Sequence, residues 1–230
     1  MKIFLDTANV DEISKWLNFG VLDGVTTNPS ILLKEGGSDM EGRVREIANL
    51  INPKPLSVEV FTNDPDEMIQ QANIFAGWSP NIVVKIPVLN EHGIPCFGVV
   101  NTLEQSGIRV NMTACLSFGQ MAMGAKAGAS YISIFSGRVS DEGNDSTKLI
   151  QESVNWLAHW NYPSEIIVGS IREAINIQDA AMAKAHIITT PPQFLLKWVD
   201  HYYTRATVRT FNEDAKEAAA KMTELKFLAS

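Results

Sequence analysis

The residue with the clearest chemical potential is Lys85, set in the run Asn81-Ile82-Val83-Val84-Lys85-Ile86-Pro87-Val88. The β-branched residues around it lack polar alternation, which is the pattern of a parallel strand buried on both faces. Pro87 cannot donate to a ladder and biases Ile86 to an extended shape, so Lys85 is expected near the strand's C-terminal end with its amine inside the protein. Desolvation disfavours an ammonium, and a lysine held in this way can attack a carbonyl and form a Schiff base. A lysine that snorkels past the strand end, or pairs with a carboxylate, would leave the same trace in the sequence. What the other strands deliver beside it decides between these readings.

Polar residues recur where other apolar runs end: Asp6, Thr27 and Asn28, Glu59, Asn111 and Thr113, Ser133, Ser170, and Thr189 with Thr190. Asp6 and Glu59 would supply two carboxylates for the proton transfers that imine chemistry needs, although each could instead cap a helix or pair with the lysine. Asn28 and Asn111 could hydrogen-bond the hydroxyls of a sugar-like ligand, but an asparagine before a proline, as Asn28 is, is also ordinary turn chemistry. Arg138 and Arg172 follow two of the runs, and Arg172 is expected to open a helix at Ser170-Ile171-Arg172. A guanidinium beside helix N-terminal amides suits a phosphate, whereas either arginine alone would be a surface ion pair. The four histidines have no metal-type spacing, so neither a metal nor a cofactor is expected, and His186 is expected in packing.

The elements that must position these residues alternate. Strands are expected at Lys2–Leu5, Gly24–Thr27, Leu56–Phe61, Asn81–Val88, Arg109–Ala114, Tyr131–Phe135, Glu165–Val168 and His186–Thr189. Helices are expected over Met40–Leu50, after Asn63-Asp64-Pro65, over Ser117–Ala127, Thr147–Trp160 and Arg172–Ala183, and from Pro192 towards Tyr202. Asn9 should cap the first helix and Gly128 should end another. Gly36-Gly37 reads as a turn, Glu91–Ser106 as a partly helical connection, and Ser136–Asp145 as a long polar loop of the kind that carries function. Eight strand–helix units in 230 residues predict an α/β fold, a (β/α)8 TIM barrel forming one domain over residues 1–230, with an additional C-terminal helix at 211–227. A doubly wound open sheet competes, but it would favour a glycine-rich phosphate loop after the first strand, and Leu5-Asp6-Thr7-Ala8-Asn9-Val10 is not one.

Composition narrows the partners. A net charge of −7 argues against nucleic acid or an anionic membrane as the main partner. Cys96 and Cys115 have no metal spacing and read as reduced thiols, and no apolar run is long enough for a leader or a membrane span, so a soluble, cytoplasmic protein is expected.

Seven ordered blocks then match a known pattern: Leu5-Asp6-Thr7-Ala8, Gly24 to Ser30 (GVTTNPS), Ser57-Val58-Glu59-Val60, Val83 to Val88 (VVKIPV), Asn111-Met112-Thr113, Ser133 to Arg138 (SIFSGR) and Gly169-Ser170-Ile171-Arg172. The chain resembles the transaldolase family over nearly its whole length, specifically the small bacterial-type branch that also contains fructose-6-phosphate aldolases. The resemblance implies that Lys85 forms the Schiff base with a ketose phosphate donor and that Asp6 takes the proton of the donor's C4 hydroxyl. Glu59, through a water held with Thr113, would make and hydrolyse the imine. Thr27, Asn28 and Asn111 would bind the three-carbon unit, Ser133 its hydroxyl, and Arg138, Ser170 and Arg172 the phosphate. Family transaldolases carry Glu and Phe where this chain has Glu59 and Phe135, whereas the aldolases carry Gln and Tyr. The resemblance therefore implies a transaldolase of the pentose phosphate pathway. The sister aldolase, which releases free dihydroxyacetone, and a sugar-phosphate-binding barrel without catalysis are the competing readings. This chain departs from the family at Ile134, where a proline is usual, at Ser136, which is more often aliphatic, and over Leu89–Val99. The resemblance also implies a homo-oligomer, a decamer of two five-membered rings, with the C-terminal helix packing on a neighbour.

Overall fold

The computed structural model describes residues 1–35, 37 and 39–228, with side chains through 222. The Gly36 half of the expected Gly36-Gly37 turn lies outside the described residues. Eight parallel strands close into a barrel in sequence order: β1 (Lys2–Asp6), β2 (Gly24–Thr26), β3 (Leu56–Glu59), β4 (Ile82–Pro87), β5 (Val110–Cys115), β6 (Tyr131–Phe135), β7 (Glu165–Gly169) and β8 (Ile187–Thr190). β1 pairs with both β2 and β8, which removes every sheet edge.

The helices between the strands are α1 (Val10–Asn18), α2 (Pro29–Glu35), α3 (Met40–Ile51), α4 (Pro65–Ala76), α5 (Phe97–Gln105), α6 (Phe118–Ala127), α7 (Ser136–Asp141), α8 (Ser146–His159), α9 (Ala174–Met182) and α10 (Pro192–Val199). Their starts follow from side chains that satisfy otherwise orphaned N–H groups. Asn9 accepts from Asp11 and Glu12, Asp64 from Asp66 and Glu67 with Pro65 behind it, Ser117 from Gln120, and Asp145 from Lys148. Gly128 ends α6 at φ +94, a conformation that costs a residue with a Cβ about 1–2 kcal/mol.

Strand alternation builds the interior in layers. Phe4, Val83, Tyr131, Ile167 and Ile187 point inward and form a separate apolar cluster that plugs the barrel. Their chain neighbours, including Leu5, Val84, Ile132, Val168 and Ile188, face the helices in the main core. Two residues beyond the plug, the same strands carry Asp6, Lys85, Ser133, Gly169 and Thr189. The strand period therefore lifts the polar set one layer towards the C-terminal mouth, above an apolar floor. Each fully buried side chain of that floor contributes about 1.5–3 kcal/mol of transfer free energy.

Two local expectations are corrected. Ser136–Asp145 is not a continuous loop. Ser136 to Asp141 form α7, with Ser136, Gly137 and Val139 buried, and only a short turn at Gly143 (φ +76) precedes α8. Packing against the barrel overrides a weak helical propensity there. Arg172 does not open a helix, because α9 starts at Ala174. Ser170 at φ +57 breaks the path, and the Asn176 side chain accepts the N–H groups of Arg172 and Glu173 at 3.2 and 3.0 Å. The structure also has α2, directly after Asn28, to which the sequence reading assigned no element.

The chain divides after Leu195 into two compact units. The second holds the end of α10 and the long α11 (Tyr202–Leu228), nine residues earlier in start than the expected 211–227 helix. Tyr202, Tyr203, Val208, Phe211 and Met222 are exposed on it. Among the described residues no helix is long and apolar enough to cross a membrane.

Candidate active site

Lys85 is 5% exposed at the end of β4, level with Glu59 of β3 and Asn111 of β5. Its Nζ lies 2.9 Å from Glu59 Oε2 and donates to the Thr27 carbonyl at 3.0 Å. Only one of the three ammonium protons thus has a fixed neutral acceptor, and the carboxylate beside it can take a proton from the amine. Both readings of a buried lysine meet here, since the residue is paired and also faces a cavity.

That cavity, about 750 Å³, opens at the C-terminal mouth and is lined by Asp6, Asn28, Glu59, Lys85, Ala114, Phe135 and Arg138, with Ser30, Lys34, Glu35 and Gln193 around them. A smaller space of about 200 Å³ shares Asp6, Asn28, Lys85, Phe135 and Arg138 and reaches Asn111, Ser133, Gly169, Ser170 and Thr189. Each space has one wall held in the left-handed region by a residue with a side chain, Ala114 at φ +62 in the larger and Ser170 at φ +57 in the smaller. Such conformations persist only where the surroundings enforce them.

The polar layer is hydrogen-bonded around the barrel. Ser133 Oγ donates to Asn111 Oδ1 at 2.7 Å, and Asn111 Nδ2 donates to Ser57 Oγ at 3.2 Å. Thr26 Oγ1 donates to Asp6 Oδ1 at 2.7 Å and lies 2.6 Å from Thr189 Oγ1. Because the Thr26 hydroxyl has one proton and gives it to Asp6, Thr189 is the donor of that second bond. Burial pushes the Asp6 carboxyl above the ordinary carboxylate range. Lys85 and the Thr26 hydroxyl oppose that shift, and the negative charges of Glu35 and Glu59 reinforce it. The Thr113 hydroxyl, on β5, is fully buried and has no hydrogen-bond partner.

The structure brings Asp6, Asn28, Glu59, Lys85, Asn111, Ser133, Phe135, Arg138 and Ser170 together around these two spaces. Thr27 serves differently, since its hydroxyl donates to the Ser57 carbonyl at 2.9 Å and its own carbonyl holds Lys85. Asn28 uses Oδ1 to accept from Ile31 N–H at 2.9 Å at the start of α2, which leaves its NH₂ as the group to offer a ligand. Arg172 does not line either space. It forms a two-pronged pair with Asp141, at 2.8 and 2.6 Å, with nearly half of each side chain exposed. Ser136 donates to the Gly169 carbonyl at 3.2 Å and ties the end of β6 to β7 beside Phe135. Sequence reasoning missed Thr26 as the partner of Asp6, and it missed Glu35, Lys34 and Gln193. Strand register would have found Thr26, the existence of α2 would have found Lys34 and Glu35, and the start of α10 at the barrel mouth would have found Gln193.

The fold class is thus a (β/α)8 barrel whose C-terminal mouth holds a lysine between two carboxylates. A solved thiamine phosphate pyrophosphorylase from Pyrococcus furiosus shares this fold, with a TM-score of 0.57, 12% identity, and coverage of 82% of this chain and 84% of that one. The family model "Transaldolase/Fructose-6-phosphate aldolase" matches residues 3–229, and the chain belongs to that family. A protein of Dehalococcoides mccartyi named "Probable transaldolase" is 40% identical, over 94% of this chain and 98% of its own. One of the same name from Roseiflexus castenholzii is 42% identical, over 94% and 97%.

Proposed function

We propose that the protein is a Schiff-base transaldolase of the pentose phosphate pathway, moving a dihydroxyacetone unit from a ketose phosphate to an aldose phosphate. The observation that carries this reading is the Lys85 amine, held 2.9 Å from Glu59 and opening on the cavity that Asp6 lines. Glu59 takes a proton from the amine, and Nζ attacks the C2 carbonyl of the ketose. Loss of the resulting hydroxyl as water gives the imine, with Glu59 returning the proton. Asp6 then removes the proton of the C4 hydroxyl. The C3–C4 bond breaks, the aldose phosphate leaves, and the three-carbon enamine stays on Lys85 to attack the next aldehyde. A raised carboxyl pKa suits Asp6 to this task, because a base is most effective when its pKa approaches the working pH.

The unpartnered Thr113 hydroxyl supports a water between it and Glu59, since a buried hydroxyl left alone costs about 1–3 kcal/mol. Asn111, Ser133 and Asn28 line the space in which the three-carbon unit would lie. Arg138 and Ser170 would receive the phosphate. Arg172 would join them by leaving Asp141, an exchange that is cheap because an exposed ion pair contributes only about 0–1 kcal/mol. Glu59 and Phe135 favour transfer over release of free dihydroxyacetone. The exposed apolar side chains of α11 support a homo-oligomer, a decamer on the family's pattern, and a cytoplasmic enzyme fits a sugar phosphate substrate.

Turnover of fructose 6-phosphate, followed with and without erythrose 4-phosphate, tests the reading. Sustained formation of sedoheptulose 7-phosphate and glyceraldehyde 3-phosphate only with the acceptor is expected. Equal turnover without it would make the protein an aldolase.

A further inference from the structure

The segment that follows Asp6 is held from a different barrel unit. Glu35, the last residue of α2, accepts two hydrogen bonds on one oxygen: from the Thr7 hydroxyl at 2.7 Å and from the Ala8 backbone N–H at 2.8 Å. Thr7 Oγ1 accepts in turn from Asn9 N–H at 3.2 Å, and Thr7 N–H donates to the Thr26 carbonyl at 3.2 Å. The fold does not need this carboxylate to form its neighbours. β1 is paired on both sides, and α1 is capped by Asn9 itself. Charge-assisted hydrogen bonds of this kind fix geometry more firmly than neutral ones. Glu35 also lines the cavity beside Asp6.

We propose that Glu35 is a positioning residue for Asp6: its carboxylate clamps the two residues after the base and sets a fixed negative charge beside it. The proposal rests on the reading of Asp6 as the base of C–C cleavage. The groups that act on Asp6 come from four directions. Lys85 on β4 and the Thr26 hydroxyl on β2 favour the carboxylate, while Glu35 on α2 and Glu59 on β3 oppose it. Lys34 and Arg138 line the same cavity. Glu35 touches no reacting atom in this scheme and acts only through Asp6 and its backbone.

Two substitutions separate the clamp from the charge. Glu35→Gln keeps an oxygen that can accept both hydrogen bonds and removes the charge, whereas Glu35→Ala removes both. The Asp6 carboxyl is titrated by ¹³C NMR of aspartate-labelled full-length protein, with Asp6→Asn providing the assignment, and kcat/KM is measured against pH in parallel. Losing the negative neighbour makes Asp6 easier to ionise. Its midpoint and the acidic limb of kcat/KM are therefore both expected to move to lower pH in Glu35→Gln. In Glu35→Ala, kcat should fall about 10-fold or more at every pH, because ångström-scale misplacement of a catalytic group costs up to ~100-fold. An Asp6 midpoint unchanged in Glu35→Gln overturns the proposal, whatever the turnover, and leaves Asp6 as base untouched. A Glu35→Ala protein that keeps wild-type kcat overturns the clamp, whereas a midpoint that moves while the acidic limb stays fixed counts against Asp6 as the base.

Discussion

Gly137→Ala tests how tightly the expected phosphate end is packed. A Cβ at Gly137 would collide with the Ser170 carbonyl oxygen and lie 2.8 Å from Arg172 Nε and 2.9 Å from Ser170 Oγ. Non-bonded carbon contacts are comfortable only from about 3.5 Å, so Ser170 and Arg172 must retreat by half an ångström or more. Ser170 has little freedom to do so, since it already sits at φ +57. Overpacking of this kind costs about 1–3 kcal/mol. At about 2–4 °C per kcal/mol for a chain of this size, Tm should fall by about 2–12 °C. KM for fructose 6-phosphate should rise about 10-fold, the effect of losing one charged hydrogen bond worth ~1.5 kcal/mol. Borohydride trapping of phosphate-free dihydroxyacetone on Lys85 should be unchanged. Gly119→Ala on α6 is the control, because a Cβ there would meet nothing within 4 Å and the residue lines neither space. Thermal melts and steady-state kinetics of the two variants decide the matter. A Gly137→Ala protein that melts within a degree of wild type and keeps its KM would refute both the packing and the placing of the phosphate beside Ser170.

Three further outcomes are expected. Asp6→Asn should abolish turnover yet raise Tm at neutral pH; burial raises the folded-state pKa of Asp6, so its ionisation costs stability above that pKa, and the gain should shrink as pH falls towards the ordinary 3.8. His186 Nδ1 accepts Ile166 N–H at 2.9 Å and burial holds its pKa below 6.5. Wild type should therefore lose stability as pH drops through 6.5 towards that lower value, and His186→Gln should flatten this part of a Tm-against-pH curve. Arg172→Ala should raise KM for phosphorylated donors about 10-fold with kcat little changed, as loss of uniform binding does, and an unchanged KM would leave the Asp141 pair as the arginine's whole role.

Much of this architecture was legible because strand and helix signals were strong. β-Branched runs closed by Pro87 or Asn28-Pro29, and caps such as Asn9 and Asp64, fixed all eight strands and most helices. The candidate site was legible through strand ends: Asp6, Glu59, Lys85 and Ser133 each stand where an apolar run stops, and in a closed parallel barrel those ends meet at one mouth. What was not legible depends on contacts distant in sequence. α7 exists because Ser136, Gly137 and Val139 are buried against the barrel, although the local sequence reads as a loop. Arg172 is turned away by Asp141, 31 residues earlier in the chain, and Glu35 reaches Thr7 across 28 residues. Thr27 stands at a strand end as expected, yet spends its hydroxyl on the Ser57 carbonyl, a detail that only the β2–β3 geometry sets.

The central claim is that Lys85 carries the substrate as an imine. Wild-type protein incubated with fructose 6-phosphate and reduced with borohydride should gain a ketose-derived mass on the peptide containing Lys85, and Lys85→Ala should gain none and show no turnover. No adduct, or an adduct on Lys34, the other lysine lining the cavity, would contradict the account.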